Sequence, residues 1–357
     1  MKTRYAPTLL ASVWCLCVFL TPARGEAVRV LDWNILTYDN PGSAEYEALV
    51  RIVQALNPKV ILFQEANNAS GRAAFMAAFS TQYPYSFLGA PPSENPRNQI
   101  LSAYPITLSG QIFTADPWGG SFERPTIWAD LDVLPARPGP ELRVYSAHYK
   151  SGSTSRDSTL RLNQATDDAG HIAAFVNSNP QGQVYYAGDL NCEVGSAPIT
   201  TLLQAQTTLT RQVMLDPNNG SAMTRWPSGK TIDHAFYSAT LSGRLLNPFI
   251  FHTNTFPPGT VPPPALANDS HTASDHLALV VTIDVYSIPA DLNQDGDVDD
   301  LDYELFAPCL AAPGVTVSGE CVKADLDYDT DVDQTDFGLL QKCFSGRNIP
   351  ADPACAQ

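Results

Sequence analysis

From Val28 the chain alternates apolar and polar positions through VRVLDWNI to Ile35, the two-residue period of a half-buried strand ending near Asn34. A helical period replaces it over Ser43–Asn57, where Tyr46, Leu49, Val50, Val53 and Leu56 share a face. Ser43 suits the N-cap, and Pro58 stops the helix. Val60–Ala66, VILFQEA, is then almost wholly apolar, as a strand covered on both faces would be. Gln99–Ile106, Thr126–Val133 and Leu142–Tyr149 read as further strands, the first two separated by a loop with Trp118 and two glycines. Arg156–Asn179 is predicted as a long helix. Val184–Gly188 is strand-forming again, followed by a helix near Ala197–Leu209 and a strand over Thr231–Ser238. Beyond the proline-rich loop Phe256–Pro264, a last apolar strand falls within Ala273–Val285. Strands alternating with helices predict an α/β domain.

Polar residues recur where these apolar stretches end. Glu65 closes a strand too apolar to hold a bare carboxylate, so it needs a cation or an exit to the surface. His148, followed by Tyr149 and Lys150, ends another; alone it would read as a structural histidine. Asp189 and Asn191 are two apart and point the same way at a strand's end. Side by side they can orient a water and a phosphate oxygen, or simply form an Asx turn. Asp233 lies in the next strand, and Asp275 and His276 immediately precede the last.

In order, WNI, QE, SAHYKSG, GDLN, IDH and SDH, spread over Val28–Val285, resemble the endonuclease/exonuclease/phosphatase family, the deoxyribonuclease-I-like fold. The resemblance implies a four-layer sandwich of two mixed β-sheets flanked by helices, and metal-dependent cleavage of phosphoester bonds. Carried over residue by residue, it makes Glu65 the principal magnesium (or manganese) ligand, with Asn34 and Asp275 completing the metal side. It makes His276 the general acid/base, with Asp233 holding its imidazole in one tautomer. Asp189 and Asn191 orient the attacking water and a phosphate oxygen, His148 donates to the phosphate, and Lys150 adds a charge for the substrate. Three departures stand out. Leu36 occupies a position that is acidic in some members, which argues against a second tight metal site. Ala103 stands before Tyr104 and Pro105, where many members have Arg. His148 has no evident carboxylate partner, leaving Asn98 and Gln99 as candidates. Cys192 reads as a small buried hydrophobe rather than a nucleophile.

Composition divides the chain. At 357 residues and 44% hydrophobic it has room for one large domain and one small one. Ser287–Gln357 holds 15 acidic and 3 basic residues, a net of −12 out of −16, leaving −4 for everything before it. The main domain thus has no broad basic field, and a nucleic-acid substrate would be held by the metal and a few cations. It also lacks an obvious aromatic hairpin for entering a bilayer.

The acidic tail contains a repeat. Asp291, Asn293, Asp295, Asp297, Asp299 and Asp302 take positions 1, 3, 5, 7, 9 and 12 of a calcium loop, with Gly296 at 6. Asp325, Asp327, Asp329, Asp331, Asp333 and Asp336 repeat the spacing 34 residues later, with Thr330 in the glycine's place. Helical stretches Leu301–Leu310 and Asp336–Phe344 follow the loops. The pair resembles a dockerin type I domain of EF-hand-like loops, whose family role is docking to a cohesin-like partner; a free-standing calcium-stabilised tail is the other reading. Cys309 and Cys343 fall 18 residues after their loop starts, and Cys321 and Cys355 fall 30 after. Each unit closing its own disulfide, Cys309–Cys321 and Cys343–Cys355, is the simplest pairing, and Cys309–Cys343 with Cys321–Cys355 is the other symmetric one.

At the N-terminus Lys2 and Arg4 precede an apolar run from Ala6 to Leu20, followed by Pro22, Ala23 and Gly25. This is the pattern of a cleavable signal peptide, with cleavage expected between Ala23 and Ala27. The expectation is therefore a signal peptide over 1–26, a catalytic domain over 27–286 and a small α-helical calcium-binding tail over 287–357. The product would be secreted, to the extracellular space or the periplasm. Its substrate would be a phosphoester, in the first place a nucleic acid; a sphingomyelinase-type lipid phosphodiesterase or a phosphomonoesterase on the same residues is the alternative. A catalytically idle scaffold would have no use for the complete acid, amide and histidine set.

Overall fold

The structure is a computed structural model and describes residues 26–90, 97–119, 124–134, 142–179, 182–285, 288, 290–293, 295–327, 329–349, 351–352 and 355. The signal-peptide expectation lies outside the described residues, apart from Glu26, and so does the tail's expected start at Ser287. No helix among those described is long and apolar enough to cross a membrane.

Two six-stranded sheets form the main domain. The first has β1 (Glu26–Asn34), β2 (Val60–Gln64), β3 (Tyr85–Leu88), β4 (Gln99–Ser102), β11 (Leu245–Phe251) and β12 (Ala278–Val285), in the order β11-β12-β1-β2-β4-β3. The second has β5 (Ile106–Ile112), β6 (Thr126–Leu131), β7 (Leu142–His148), β8 (Gln183–Asp189), β9 (Leu209–Gln212) and β10 (Asp233–Ser238), in the order β5-β6-β7-β8-β10-β9. Each sheet is mixed: β1 runs parallel to β2 and β7 to β8, while the other pairings are antiparallel.

Side-chain alternation makes the four layers. Val28 and Val30 of β1 and Leu62 of β2 face Ile127, Val144, Tyr185 and Ala235 of the second sheet in one buried core. Leu31, Trp33, Ile61 and Phe63 point the other way, onto α1 (Ala44–Leu56) and α2 (Ala69–Ala78). On the far side Tyr145, Ala147 and Tyr186 pack against α3 (Ser155–Ser178) and α4 (Ala197–Leu202). Local signals set the helix ends. The Ser43 hydroxyl accepts the Tyr46 N–H at 3.1 Å, and Asn57 ends α1 in the left-handed region at φ 45°. Thr154 and Asp157 close a capping box at the start of α3.

The helix expected over Ala197–Leu209 is shorter. Thr207 Oγ1 caps the Leu202 carbonyl at 2.7 Å, and Leu209 begins a strand paired with β10. The elements absent from the sequence reading are β3, β5, β9, β11, α2 and α5 (Asp269–Ala273). β3, β9 and α5 are short, at four, four and five residues, and all four strands are sheet edges, where side chains stay exposed and the periodicity is diluted.

The tail has its own core of Val298, Phe306, Leu326, Val332 and Leu340 around α6 (Asp300–Phe306) and α7 (Gln334–Cys343). Its disulfides are Cys309–Cys321 and Cys343–Cys355, one per repeat unit.

Candidate active site

Strand ends from both sheets meet over the inter-sheet core. Register brings His148 beside Asp189 in the parallel pair β7–β8, and Asp233 beside Asp189 in the antiparallel pair β8–β10. Gly188 permits this approach. It sits at φ 151°, and a Cβ there would lie 2.0 Å from the Ala147 carbonyl oxygen.

Asp189 Oδ2 is the hub. It accepts from Asn34 Nδ2 and from Asn191 Nδ2, both at 3.1 Å, and lies 3.6 Å from His148 Nε2 and 3.7 Å from His276 Nε2. Its other oxygen accepts the Asn191 N–H at 2.9 Å, with Asn191 in the left-handed region at φ 49° that asparagine tolerates. Burial first, and then the Asp233 carboxylate, push the Asp189 carboxyl up to about 7.

His276 Nδ1 lies 2.9 Å from both oxygens of Asp233, so it donates there and presents Nε2 to the site. Burial alone pulls the His276 imidazolium down. Asp233, with Asp189 and Asp275, more than reverses this and raises it to about 10. The loop carrying His276 is stitched to the first strand. Ser274 Oγ donates to the Asn34 carbonyl at 2.7 Å, and Trp33 Nε1 to the His276 carbonyl at 3.0 Å.

Glu65 stands just past β2 in the left-handed region at φ 57°, an uncommon conformation for a residue with a Cβ. Its Oε1 accepts from Asn34 Nδ2 at 3.2 Å and lies 3.7 Å from His148 Nε2. Asp275 Oδ1 lies 3.9 Å from His276 Nε2. Among the described residues of the main domain, the ligand-type atoms drawn within 4.8 Å of one another are those of Asp189, Asp233 and His276, not those of Glu65 and Asp275. Asp275 is held aside by Arg225, whose Nη2 and Nε donate to Oδ2 at 2.6 and 3.1 Å.

Two arginines here escaped the sequence reading. Arg124 Nη1 lies 2.7 Å from His148 Nε2 and donates to the Tyr149 carbonyl at 3.0 Å. A guanidinium has only donors, so the neutral His148 carries its proton on Nδ1. Burial, with Arg124 and His276 adding to it, holds His148 well below its ordinary value. Arg225 lies in the Thr224–Lys230 turn, which also hydrogen-bonds the Ile232 and Asp233 amides through Thr224 Oγ1. An arginine in a loop between strands carries no periodic signal.

The expected partners of His148 are not where they were sought. Gln99 Oε1 accepts from the Tyr38 hydroxyl at 3.0 Å, and Asn98 donates to the Pro125 and Ser146 carbonyls. His148 Nδ1 and Asn98 Oδ1 are both buried without a hydrogen-bond partner, as are Asp32 Oδ2 and Gln64 Oε1. Asp32 Oδ1 and Ser146 share Gln64 Nε2, at 2.8 and 3.0 Å, and burial raises the Asp32 carboxyl well above its ordinary value. Lys150 Nζ lies 3.9 Å from Asp157, so the cation beside His148 is Arg124. Cys192 is a free, half-buried cysteine packed against the α3 side core.

The tail loops share the bonds made by their first and last carboxylates. Asp302 accepts the Leu292, Asn293 and Asp299 amides, as Asp336 accepts those of Leu326, Asp327 and Asp333. Asp291 accepts the Asp295 and Gly296 amides, and Asp325 those of Asp329 and Thr330. Gly296 and Thr330 both have positive φ, 99° and 81°, so Thr330 takes the glycine's conformation at a steric cost. Oxygen sets that can hold an ion are Asp297, Asp299 and Asp302; Asp325, Asp327 and Asp336; and Asp331, Asp333 and Asp336. The Asp291, Asp295 and Asp329 carboxylates lie outside these sets. Asp297 and Asp331 also accept the Asn348 and Gly314 amides, so each position-7 carboxylate pins a neighbouring segment.

Residues 33–276 match the endonuclease/exonuclease/phosphatase family. The chain belongs to that family. Residues 289–345 match the dockerin type I domain. Similar solved structures include the catalytic domain of human Nocturnin with a bound sulfate anion, at 16% identity and a TM-score of 0.53, covering 72% of this chain and 93% of that one. An endonuclease/exonuclease/phosphatase from Beutenbergia cavernae DSM 12333 gives 18% and 0.52, over 74% and 72%. Sphingomyelinase C from Streptomyces griseocarneus gives 19% and 0.50, over 72% and 99%. At these identities the likeness speaks for the fold. No curated protein sequence matches. The family's enzymes hydrolyse phosphoesters, generally with divalent metals, and dockerin domains bind calcium and cohesins.

Proposed function

We propose that the protein is a secreted, magnesium- or manganese-dependent phosphodiesterase acting as an extracellular nuclease, with the catalytic domain over residues 27–286 and a calcium-binding dockerin tail over 287–357. The observation that carries this reading is the hub at Asp189 Oδ2, where two amides and two imidazoles converge beside the His276–Asp233 pair.

The water's proton goes to Asp189 rather than to His276, the acid/base the resemblance implied, because Asp233 holds the His276 ring protonated while burial and Asp233 make the Asp189 carboxyl more basic. Asn191 orients that water and a phosphate oxygen. Protonated His276, held by Asp233, balances the charge that grows on the phosphate. Arg124, seated on the neutral His148 ring through Nε2, brings a planar cation to the phosphate, and His148 serves there by holding that guanidinium rather than by donating itself. Glu65 and Asp275 are hard oxygen donors that would hold a magnesium-type ion once Asp275 turns from Arg225. Asn34 presents Nδ2 to Glu65 while its Oδ1 accepts the Leu36 amide at 3.0 Å, so its amide would have to turn over to add a third oxygen. When bound, such an ion supplies positive charge to the phosphoryl and departing oxygens. The Arg124 guanidinium beside the hub suits a phosphodiester, and a nucleic acid is the substrate we put first. In the tail, Asp291, Asn293, Asp295, Asp297, Asp299, Asp302 and their counterparts Asp325, Asp327, Asp329, Asp331, Asp333 and Asp336 serve two calcium ions, and a cohesin-like protein is the partner.

The test is hydrolysis of DNA, RNA, sphingomyelin and bis(p-nitrophenyl) phosphate by the mature chain, with and without magnesium. Metal-dependent cleavage of nucleic acid is expected, with Glu65→Gln at least about a hundredfold slower while still folded. Full turnover in metal-free buffer would overturn the metal reading, and cleavage confined to sphingomyelin would overturn the nuclease.

A further inference from the structure

Beside the catalytic cluster, two histidines outside it face each other. His252 follows β11 and is 5% exposed; His271 lies on α5. Their Nε2 atoms are 2.9 Å apart. The other nitrogen of His252, Nδ1, lies 3.2 Å from the buried Asp216 Oδ2. The carboxylate accepts, so Nδ1 carries the proton and Nε2 presents its lone pair toward His271.

That arrangement has the parts of an imidazole metal site. Two imidazole nitrogens, each about 2.0–2.1 Å from one tetrahedral zinc-like ion, sit about 3.3 Å from each other. This hydrogen-bonded pair at 2.9 Å therefore has to open by only a few tenths of an ångström and give up the shared proton to admit one. A histidine ligand commonly gives its second N–H to a carboxylate, as His252 does to Asp216. Both rings are held in place. His271 stacks on Trp226 with centroids 4.2 Å apart and 18° between planes. Its helix is anchored by the Arg51–Asp269 ion pair at 2.6 Å and by paired hydrogen bonds between Thr253 and Ser270 at 2.9 Å. Asp216 is fixed by the Asn218 amide at 2.9 Å and the Thr255 hydroxyl at 3.2 Å. Burial pulls both imidazoles below their ordinary value, which keeps them in the neutral, ligating form.

We propose that His252 and His271 bind a transition-metal dication of the zinc class, with Asp216 orienting the His252 ring. Two nitrogens favour zinc, copper or nickel over magnesium or calcium, and water completes the coordination. The site is distinct from the Glu65 cluster but connected to it. Trp226, the ring under His271, donates its amide to the Asp275 carbonyl at 3.2 Å and its indole N–H to the Ser274 carbonyl at 2.9 Å.

The full-length chain, stripped with chelator and dialysed into magnesium and calcium to fill the oxygen sites, is titrated with Zn²⁺ by calorimetry and melted at each ratio. The wild type is expected to take up about one zinc more than His271→Gln, and only the wild type to gain that zinc's share of the Tm rise. His271 is half-buried and outside the core, and magnesium-dependent turnover reports whether the variant folds. A second reading needs no variant. Long-range ¹H–¹⁵N spectra of the six imidazoles should show zinc shifting Nε2 of His252 and His271. Equal uptake and equal melting in both proteins, or unmoved Nε2 signals at these two rings, would overturn the site and leave an ordinary imidazole–imidazole hydrogen bond.

Discussion

The Asp233 carboxylate and the His276 ring work as one group because Nδ1 is held between both carboxylate oxygens at 2.9 Å. His276→Ala and Asp233→Asn are each expected to slow the chemical step, and the double variant to lose little beyond the worse single one. Multiplying losses in single-turnover rates would mean that the two residues serve separate roles. Glu65 makes a different local demand. Its backbone occupies a region that costs about 1–3 kcal/mol for such residues, a strain persisting only where the surroundings impose it. Here the neighbouring Ala66 amide donates to the Arg97 carbonyl at 2.7 Å, and Asn34 meets the side chain.

At the scale of elements, α3 is tied to the second sheet through one buried carboxylate. Asp168 Oδ2 accepts from Thr126 Oγ1 at 2.8 Å, Tyr149 Oη at 2.9 Å and Tyr186 Oη at 2.6 Å. Burial raises this acid from 3.8 to about 6, although those three hydroxyls pull it down. The folded form therefore holds the proton more tightly than the unfolded one. The stability linked to that proton is fully present below pH 3.8 and is lost as pH rises through about 6, amounting to about 3 kcal/mol. Asp168→Asn is expected to remove this contribution to the slope, seen by comparing urea midpoints of the two proteins at pH 4 and pH 7. Identical slopes would show that Asp168 ionises in the fold as easily as outside it. Gly188 is the other element-level constraint, since a Cβ would wedge β8 away from β7 at the point where Asp189 meets His148.

Across the whole molecule, the hydrophobic cores divide cleanly. Three are made of residues up to Val285, and the fourth only of residues from Ile288 onward. Removal of residues 287–357 is thus expected to leave phosphodiester turnover nearly unchanged, because every proposed catalytic side chain lies before Val285. A folded but inactive truncation would show that the modules depend on each other. The tail answers to calcium instead. Like charges packed this closely repel until an ion lies between them, so added calcium should raise its melting temperature and slow its proteolysis. Calorimetric titration showing no calcium uptake by the full chain beyond that of the truncation would remove the loops from consideration.

Much of this was legible along the chain. The periods of α1, β2, β7 and β8, the capping Ser43, the paired acid and amide of GDLN and the twofold tail repeat are local patterns, governed by neighbours a few residues away. They determined the α/β class and the positions of Asn34, Glu65, His148, Asp189, Asp233 and His276 at or next to strand ends, and narrowed the tail disulfides to two symmetric pairings, between which the structure chose. Tertiary structure decided what distance in sequence conceals. Arg124 rather than Lys150 stands against His148, Arg225 holds Asp275 aside, and Asp216, His252 and His271 meet from three separate segments. Loop residues of this kind follow no period. Their partners are chosen by how two sheets pack, and a hydrogen bond reaches about 3 Å through space however many residues lie between its ends.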